Sequence, residues 1–550
     1  MRNRKEMPCL RMMVVALGAI GVVSQAHAVN LSQGGDWDIN LDTTLQYNIG
    51  VRAQGRDPNI ANHPFFDEGD YKFDRGDLVT NRLQALVELQ GVYKGQSGFR
   101  MSATGFKDFA YDSDVERNPA GGPVYAPSYQ NGKYSDNTKK YHLQGIELLD
   151  AFLFHNTEAG GVPVYMKLGR FTQYWGNSFF FGFSNIAYGQ HSVDYIKGFS
   201  QPGTEVKELF LPRSQAMVSA DITPELSVSA QYFLEYRPNR YPEGGTYLGP
   251  FDILYTGPDA LGSSGSDDNQ PKHNNRNFGV KAAWSPAWAK GDLGFYYRVF
   301  DEVHPWPTAG DPSGRVALNY AEKTKLFGLS YERTFGTIST GFEASYRKDT
   351  ALMSSFGNPS GTDARGATGD IVNVIANALV SLGSTPLWDA GNLIAEVSYT
   401  HLAKVNDKHL FNGKGYASCV DPITGGPGGT KDGCATRNAV AVALLFEPQW
   451  LQVMPGVDLS MPVSLTYGVK GNPAYVAGAF YAEEAQLYSI GVKANIDQRH
   501  TVTLQYNGYH YNTGPVNPAA PNFGYAGFGG NGAVALNDKG WFQLMLKTSF

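Results

Sequence analysis

The run "WDINLDTTLQYNIGVR" at residues 37–52 alternates almost without a break. Trp37, Ile39, Leu41, Thr43, Leu45, Tyr47, Ile49 and Val51 occupy the odd positions, while Asp38, Asn40, Asp42, Gln46, Asn48 and Arg52 stand among the even ones. Successive strand side chains point to opposite faces, so this strand has an oily side and a wet side. A strand of a soluble sandwich is typically about 5–6 residues long. An alternation this long asks for a thicker apolar slab, with Ile39, Leu41 and Leu45 toward lipid and Asp38, Asp42 and Gln46 toward water.

The pattern recurs at 226–237, and similar strands fit near 78–94, 98–111, 143–155, 163–175, 213–223, 277–285, 292–302, 322–334, 337–349, 392–404, 437–446, 457–469, 486–496, 500–511 and 540–550. Connections alternate between tight (223–225, 335–337, 496–500) and long (238–276, 512–539). Barrels of the outer membrane have short periplasmic turns and long external loops, and with both chain ends in the periplasm the strand number is even. These seventeen strands therefore need one more or one fewer. The alternation of short and long breaks only between 349 and 392, where "DIVNVIANALVSLG" fits helical spacing and strand alternation equally. Parity selects the strand. The expectation is an all-β transmembrane antiparallel barrel of 18 strands, with nine long loops, eight short turns and 383–392 as a periplasmic turn. Sixteen strands and a helical loop at 371–382 is the alternative.

Composition agrees. No run of about 18 apolar residues follows the N-terminal region, which leaves no helical span there. Yet the chain carries 32 Tyr, 31 Phe, 8 Trp and 64 Gly, the aromatic and glycine richness of a membrane barrel. Its net charge of −6 gives no basic excess for nucleic acid. Residues 1–28 read as a secretory signal peptide: Arg2, Arg4, Lys5 and Arg11 precede or open an apolar stretch that ends at Ala26-His27-Ala28. Residues 29–550 then form a single barrel domain in the bacterial outer membrane, and a terminal alternation through Phe542, Leu544, Leu546, Thr548 and Phe550 suits a closing strand offered to the assembly machinery.

Cys419 and Cys434 bracket "VDPITGGPGGTKDG". In an oxidising compartment a loop-closing disulfide is the favoured reading, with two free thiols as the alternative. Two sulfurs without nearby histidines do not complete a zinc site, and no cofactor is expected. The inward set inferred from alternation mixes signs: Arg82, Glu88, Arg100, Glu147, Lys167, Glu235, Arg237, Glu343, Arg347, Glu396 and Lys493. Such a set is not a single-sign selectivity ring and fits mutual pairing across the inner wall. No plug-sized domain precedes the first strand, so constriction must come from loops folding inward.

The segment 167–215 is the most distinctive. A strand ends near Trp175-Gly176 and gives way to a loop with Phe179, Phe180, Phe181 and Phe183. These phenylalanines are candidates for binding an apolar ligand or plugging the lumen, with packing against the barrel rim as the structural alternative. Arg170 and Trp175 are weaker candidates beside them. "YGQHSVD" at 188–194 raises the question of hydrolysis, but adjacent His191 and Ser192 would point opposite ways along a strand, and no orienting partner or oxyanion donor is identifiable. A non-enzyme is expected.

Over this segment the chain resembles a large set of proteobacterial outer-membrane proteins known as domain of unknown function number thirteen hundred and two. The likeness rests on Leu168-Gly169-Arg170, Trp175-Gly176, Val193-Asp194, Pro202-Gly203, Glu205, Lys207-Glu208 and Leu211-Pro212, and on the "DRGDLVTNR" run leading into the second strand. Asn177 departs from the acidic residue that relatives often carry after Trp-Gly. The resemblance implies no catalytic residues and favours an apolar cargo, since family members look like companions of pathways for steroid-like compounds. Two functions follow as expectations: a porin-like conduit for hydrophobic small molecules with loop 176–212 constricting or gating it, and, as the alternative, a surface or envelope-assembly barrel acting through its external loops.

Overall fold

The computed structural model describes residues 29–32, 35–120, 127–201, 204, 206–260, 270–272, 276–309, 316–354 and 365–550. The signal peptide read in residues 1–28, as well as Pro202, Gly203 and Glu205 of the motif run, lies outside the described residues.

Eighteen strands form the wall. They are β1 (Trp37–Arg52), β2 (Leu78–Tyr93), β3 (Ser97–Asp108), β4 (Gln144–Ala159), β5 (Val162–Phe171), β6 (Arg213–Thr223), β7 (Leu226–Phe233), β8 (Phe278–Trp284) and β9 (Asp292–Phe300). The second half comprises β10 (Thr324–Phe335), β11 (Ile338–Ala351), β12 (Thr368–Leu382), β13 (Ala390–Val405), β14 (Asn438–Met454), β15 (Val457–Ser460 and Val463–Lys470), β16 (Gln486–Ile496), β17 (His500–His510) and β18 (Trp541–Ser549). Neighbours in this order pair antiparallel, and β1 closes the sheet by pairing with β2 from Trp37↔Tyr93 to Val51↔Leu78 and with β18 from Thr44↔Ser549 to Arg52↔Trp541. Closure leaves no lipid-facing edge running the full height of the wall, which hydrocarbon would not tolerate. Phe550 extends the seam, its N–H donating to the Thr43 carbonyl at 2.8 Å.

The disputed segment is a strand. Residues 368–382 pair with β11 and with β13, so the helical alternative is excluded and eighteen is the strand number. Several boundaries differ from expectation. β5 stops at Phe171 rather than Trp175, and β7 at Phe233 rather than Arg237, because the chain there turns into the lumen. β14 runs eight residues beyond Phe446, with Pro448 facing Gly391. β15 is broken at Met461-Pro462, where proline has no N–H for the ladder.

Side-chain exposure follows the alternation. On β1, Leu45 is 38% exposed on the outside while Gln46 and Asn48 are buried inside, where they bond to each other at 3.2 Å. Aromatic residues mark both borders of the outer band. Trp37 with Tyr93, Trp284 with Trp288, and Trp388 with Phe446 cluster at the short-turn end, whereas Tyr297, Phe327 and Tyr346 cluster toward the long-loop end. Phe335 and Phe327 sit eight residues apart on the outer face of β10, about 20 Å along a strand tilted by about 40°. That spacing suits an apolar band about 25 Å tall. The two-residue β4–β5 hairpin turns through Gly160 and Gly161 with φ of 61° and 85°, a left-handed pair open to glycine at no steric cost. Cys419 and Cys434 are joined in the β13–β14 loop, with Cα atoms 5.8 Å apart.

Candidate functional site

After Phe171 the β5–β6 loop drops into the lumen instead of spreading over the rim, and its turn at 176–186 is held by wall residues of both signs. Gly176 makes the bend at φ +97°, and a Cβ there would collide with the Glu343 carboxylate. Glu343, on β11, accepts from the main-chain N–H groups of Asn177, Ser178 (3.0 Å) and Ile186 (2.8 Å). Glu396, on β13, accepts from the N–H groups of Phe179 (2.7 Å), Phe180 (2.9 Å) and Phe181 (3.0 Å) and from the Ser178 hydroxyl (2.9 Å). Both carboxylates are buried. A buried carboxylate survives without a cation when several N–H dipoles converge on it.

Guanidinium groups do the reverse. Arg298 on β9 donates to the carbonyls of Ile186 and Tyr188, both at 2.8 Å; Arg347 on β11 donates to Phe183 O at 2.7 Å, and Arg213 on β6 to Gly189 O at 3.2 Å. Arg347 also lies 4.4 Å from the centre of the Tyr188 ring. A stretch of loop that would carry unsatisfied peptide groups into the lumen thus has its N–H groups collected by acids and its carbonyls by arginines.

This clamp revises the expected role of the mixed inner wall. Part of the set does pair across the wall: Glu88 with Arg100, Arg237 with Glu147, and Lys493 with Glu447 at 2.5 Å. Lys167 sits 3.8 Å over the Phe152 ring and Arg82 3.4 Å over Phe106. Glu343, Glu396 and Arg347 instead bind loop main chain. Arg298 and Arg213 belong to the same clamp, and alternation along "LGFYYRVF" and "RSQAMVSA" already places them inward.

The four phenylalanines divide. Phe181 is fully buried against Ile375, Ala441 and Ala443, with the Tyr481 ring 5.2 Å away. Phe183 is buried in an aromatic stack with Tyr195 (5.3 Å) and Phe480 (5.8 Å). Both anchor the loop inside the lumen, well below the rim. Phe179 is 50% exposed, and Phe180 is half-buried beside it. Phe179 and Phe180, with Tyr174, Phe210, Val303 and Tyr481, line a cavity of about 170 Å³.

Trp175 is buried, its main-chain N–H donating to Gln190 Oε1 at 2.7 Å and its ring 6.1 Å from that of Tyr296. Arg170 stands apart on the outer side of β5, paired with Glu235 at 2.6 Å. Of the motif residues, Asp194 caps the helix Tyr195–Ser200 by accepting from Lys197 N at 3.1 Å and pairs with Arg240 at 2.7 Å; Glu208 accepts from Gln84 Nε2 at 2.7 Å. The motif run is therefore a docking sequence that fastens the loop's return limb to β2 and to the β7–β8 loop.

His191 and Ser192 do not form a nucleophile and base. Ser192 donates its hydroxyl proton to the Arg237 carbonyl, and His191 Nδ1 lies 3.3 Å from the Gln173 carbonyl. Burial pushes the His191 pKa down to about 3. Among the described residues no group of three or more His, Cys, Asp or Glu side chains is arranged to hold a metal.

No curated protein matches the chain. Among solved structures it is similar to OccAB4 of Acinetobacter baumannii, at 9% identity over 95% of this chain and 100% of that one, with a TM-score of 0.44. It is also similar to OpdK of Pseudomonas aeruginosa solved with vanillate (10% identity, 93% and 98% covered, TM-score 0.42) and to the outer membrane channel DcaP of Acinetobacter baumannii (11%, 94% and 99%, TM-score 0.36). At the level of sequence the match is to one family across nearly the whole chain: residues 9–550 fit the profile of DUF1302, described as a protein of unknown function, and the chain belongs to that family.

Proposed function

We propose that the protein is an outer-membrane conduit for small hydrophobic molecules, constricted by loop 176–212. The observation that carries this reading is the asymmetry of the phenylalanine cluster. The wall clamps the loop main chain and buries Phe181 and Phe183, which leaves Phe179 and Phe180 as an apolar lip on a polar lumen. A single exposed phenylalanine is ordinary on a protein surface, but here two adjacent rings line one cavity with Tyr174, Phe210 and Tyr481. An apolar solute passing a wet channel gains a contact surface there.

The apolar outer band with its aromatic borders supports placement in the outer membrane, in contact with lipid. Phe550, at the end of the closing seam, is proposed as the residue offered to the assembly machinery.

Reconstituted in lipid vesicles, the protein is expected to pass apolar solutes and to show a ligand-dependent change in Trp fluorescence. Deleting residues 178–190 should alter the passage of these solutes. Unchanged passage of every apolar solute tested would remove gating by this loop. Neither conductance nor fluorescence change in the intact protein would favour an interaction role through the external loops.

A further inference from the structure

Among the described residues, one stretch of the wall is incomplete. β4 pairs with β3 along its length, but on its other side it pairs with β5 only from Ala151, opposite Arg170, to Ala159. Apart from the Gln144 N–H, which donates to the Lys139 carbonyl, residues 144–150 have no main-chain partner on that side among the described residues, since β5 ends at Phe171 and the chain leaves for the lumen. The Leu148 carbonyl is met by the Arg170 side chain at 3.5 Å. The paired part, 151–159, rises about 20 Å from the short-turn end at ordinary strand rise and tilt. The opening therefore lies at the upper border of the apolar band, where an unpaired edge is tolerated only if water, protein or a ligand meets it.

Behind the gap lies a cavity of about 440 Å³, lined both by inward residues such as Arg82 and Glu147 and by the outward-facing Ile146, Leu148 and Arg170. Ile146 is 86% exposed. Loop residues such as Asn137, Lys140 and Thr256 line the cavity as well, so lumen-facing, outward-facing and long-loop residues meet at it. Six Lys and Arg side chains line it against three carboxylates, and those three are already engaged. Glu147 binds Arg237 and Arg240, Asp194 binds Arg240, and Glu243 accepts from Thr256 Oγ1 at 2.9 Å and Gly257 N at 2.8 Å. Lys197 is 3% exposed, and its Nζ has no hydrogen-bond partner among the described residues. Asp194, Glu208 and Glu147 act on its charge from a distance, but a buried ammonium whose N–H groups find no acceptor is costly, and an anion in the cavity would relieve that cost. Lower on the same outer wall, Leu153, Met166, Leu168, Val218, Tyr232 and Val280 line an apolar furrow.

We propose that this gap is a lateral portal for an anionic amphiphile, whose head seats against Lys197 inside the wall while its apolar tail runs past Ile146 and Leu148 into the outer leaflet. The direction of transfer rests on the conduit reading; the binding does not. A carboxylate or phosphate head serves equally, whether it belongs to a cargo molecule or to a membrane lipid.

The test is equilibrium binding of pyrene-labelled dodecanoate to the full chain in phosphatidylcholine nanodiscs. Lys197→Met should weaken binding by about tenfold or more, the loss of one charge-assisted hydrogen bond, and should leave binding of the matching alcohol unchanged. Leu148→Trp, at an exposed lip where folding is not at stake, should also weaken the carboxylate. Displacement of the probe by phosphatidylglycerol added to the nanodisc would support the site and identify lipid as a source of the head group; no displacement would support a cargo source. Unchanged affinity in both variants, or displacement by tail-less benzoate as effective as by dodecanoate, would overturn the portal. Solute flux through the same preparations separates the two claims: binding without flux keeps the portal and loses the conduit.

Discussion

Replacing Glu396 with alanine is expected to release the tip of the inward loop and raise single-channel conductance. Three consecutive N–H groups, of Phe179, Phe180 and Phe181, converge on this carboxylate together with the Ser178 hydroxyl. Removing the carboxylate leaves these donors without their acceptor, the Phe181 N–H buried and those of Phe179 and Phe180 part-buried, at about 1–3 kcal/mol apiece with the low end where water reaches them. Taking the low end for the three N–H groups, docking weakens by about 3 kcal/mol, or about 100-fold in the ratio of docked to released loop. Glu343→Ala acts on the same unit, since both acids hold Ser178, so the double variant should cost less than the sum of the two singles. Planar-bilayer recording of the three variants tests this. Conductance equal to wild type in Glu396→Ala would show that the loop does not narrow the path.

The second large effect separates phenylalanines that sequence alone groups together. Phe181→Ala should cost about 3–5 kcal/mol of loop docking, the range for emptying a buried aromatic site, because its ring fills the space between Ile375, Ala441, Ala443 and Tyr481. Phe179→Ala, at a half-exposed position, should stay within about 0.5 kcal/mol. Under the proposed function it should instead reduce the flux of apolar solutes. Protease cleavage within 178–190 reads docking, and vesicle flux reads transport. Phe179→Ala is expected to lower apolar flux and leave cleavage unchanged, whereas Phe181→Ala should speed cleavage and, by releasing the constriction, raise flux.

The strand pattern was legible in sequence because lipid outside and water or polar side chains inside impose a period of two wherever the inner face stays polar. It blurred where the loop packs. On β12 the inward residues Ile371 and Ile375 are apolar and buried, Ile375 because Phe181 rests on it. The inner face of that strand therefore mixes isoleucines with Asn373 and Asn377, and helical spacing fits as well as alternation. Pairing with β11 and β13 is a tertiary fact, and only the parity of connections carried it into the sequence reading. The overrun of β5 to Trp175 has a similar cause: Trp175 packs inside the barrel beside Tyr296 and so prolongs the aromatic pattern of the strand past its last ladder residue.

The candidate site was half legible. The loop, its phenylalanines and the inward placement of Glu343, Arg347 and Glu396 follow from the one-dimensional pattern. Their partners do not, since a carboxylate bound to main-chain N–H groups leaves no complementary residue type in the sequence. The unpaired edge at 144–150 was likewise invisible, because it depends on β5 being shorter than its neighbour β4.

The most direct measurement is amide hydrogen exchange across residues 176–190 in the folded, lipid-embedded barrel. If the loop is clamped inside the wall by Glu343 and Glu396, the amides of Ser178, Phe179, Phe180, Phe181 and Ile186 exchange as slowly as those of β11 and β13. Exchange of these five amides at the rate of an unprotected peptide, beside a protected wall, would contradict it.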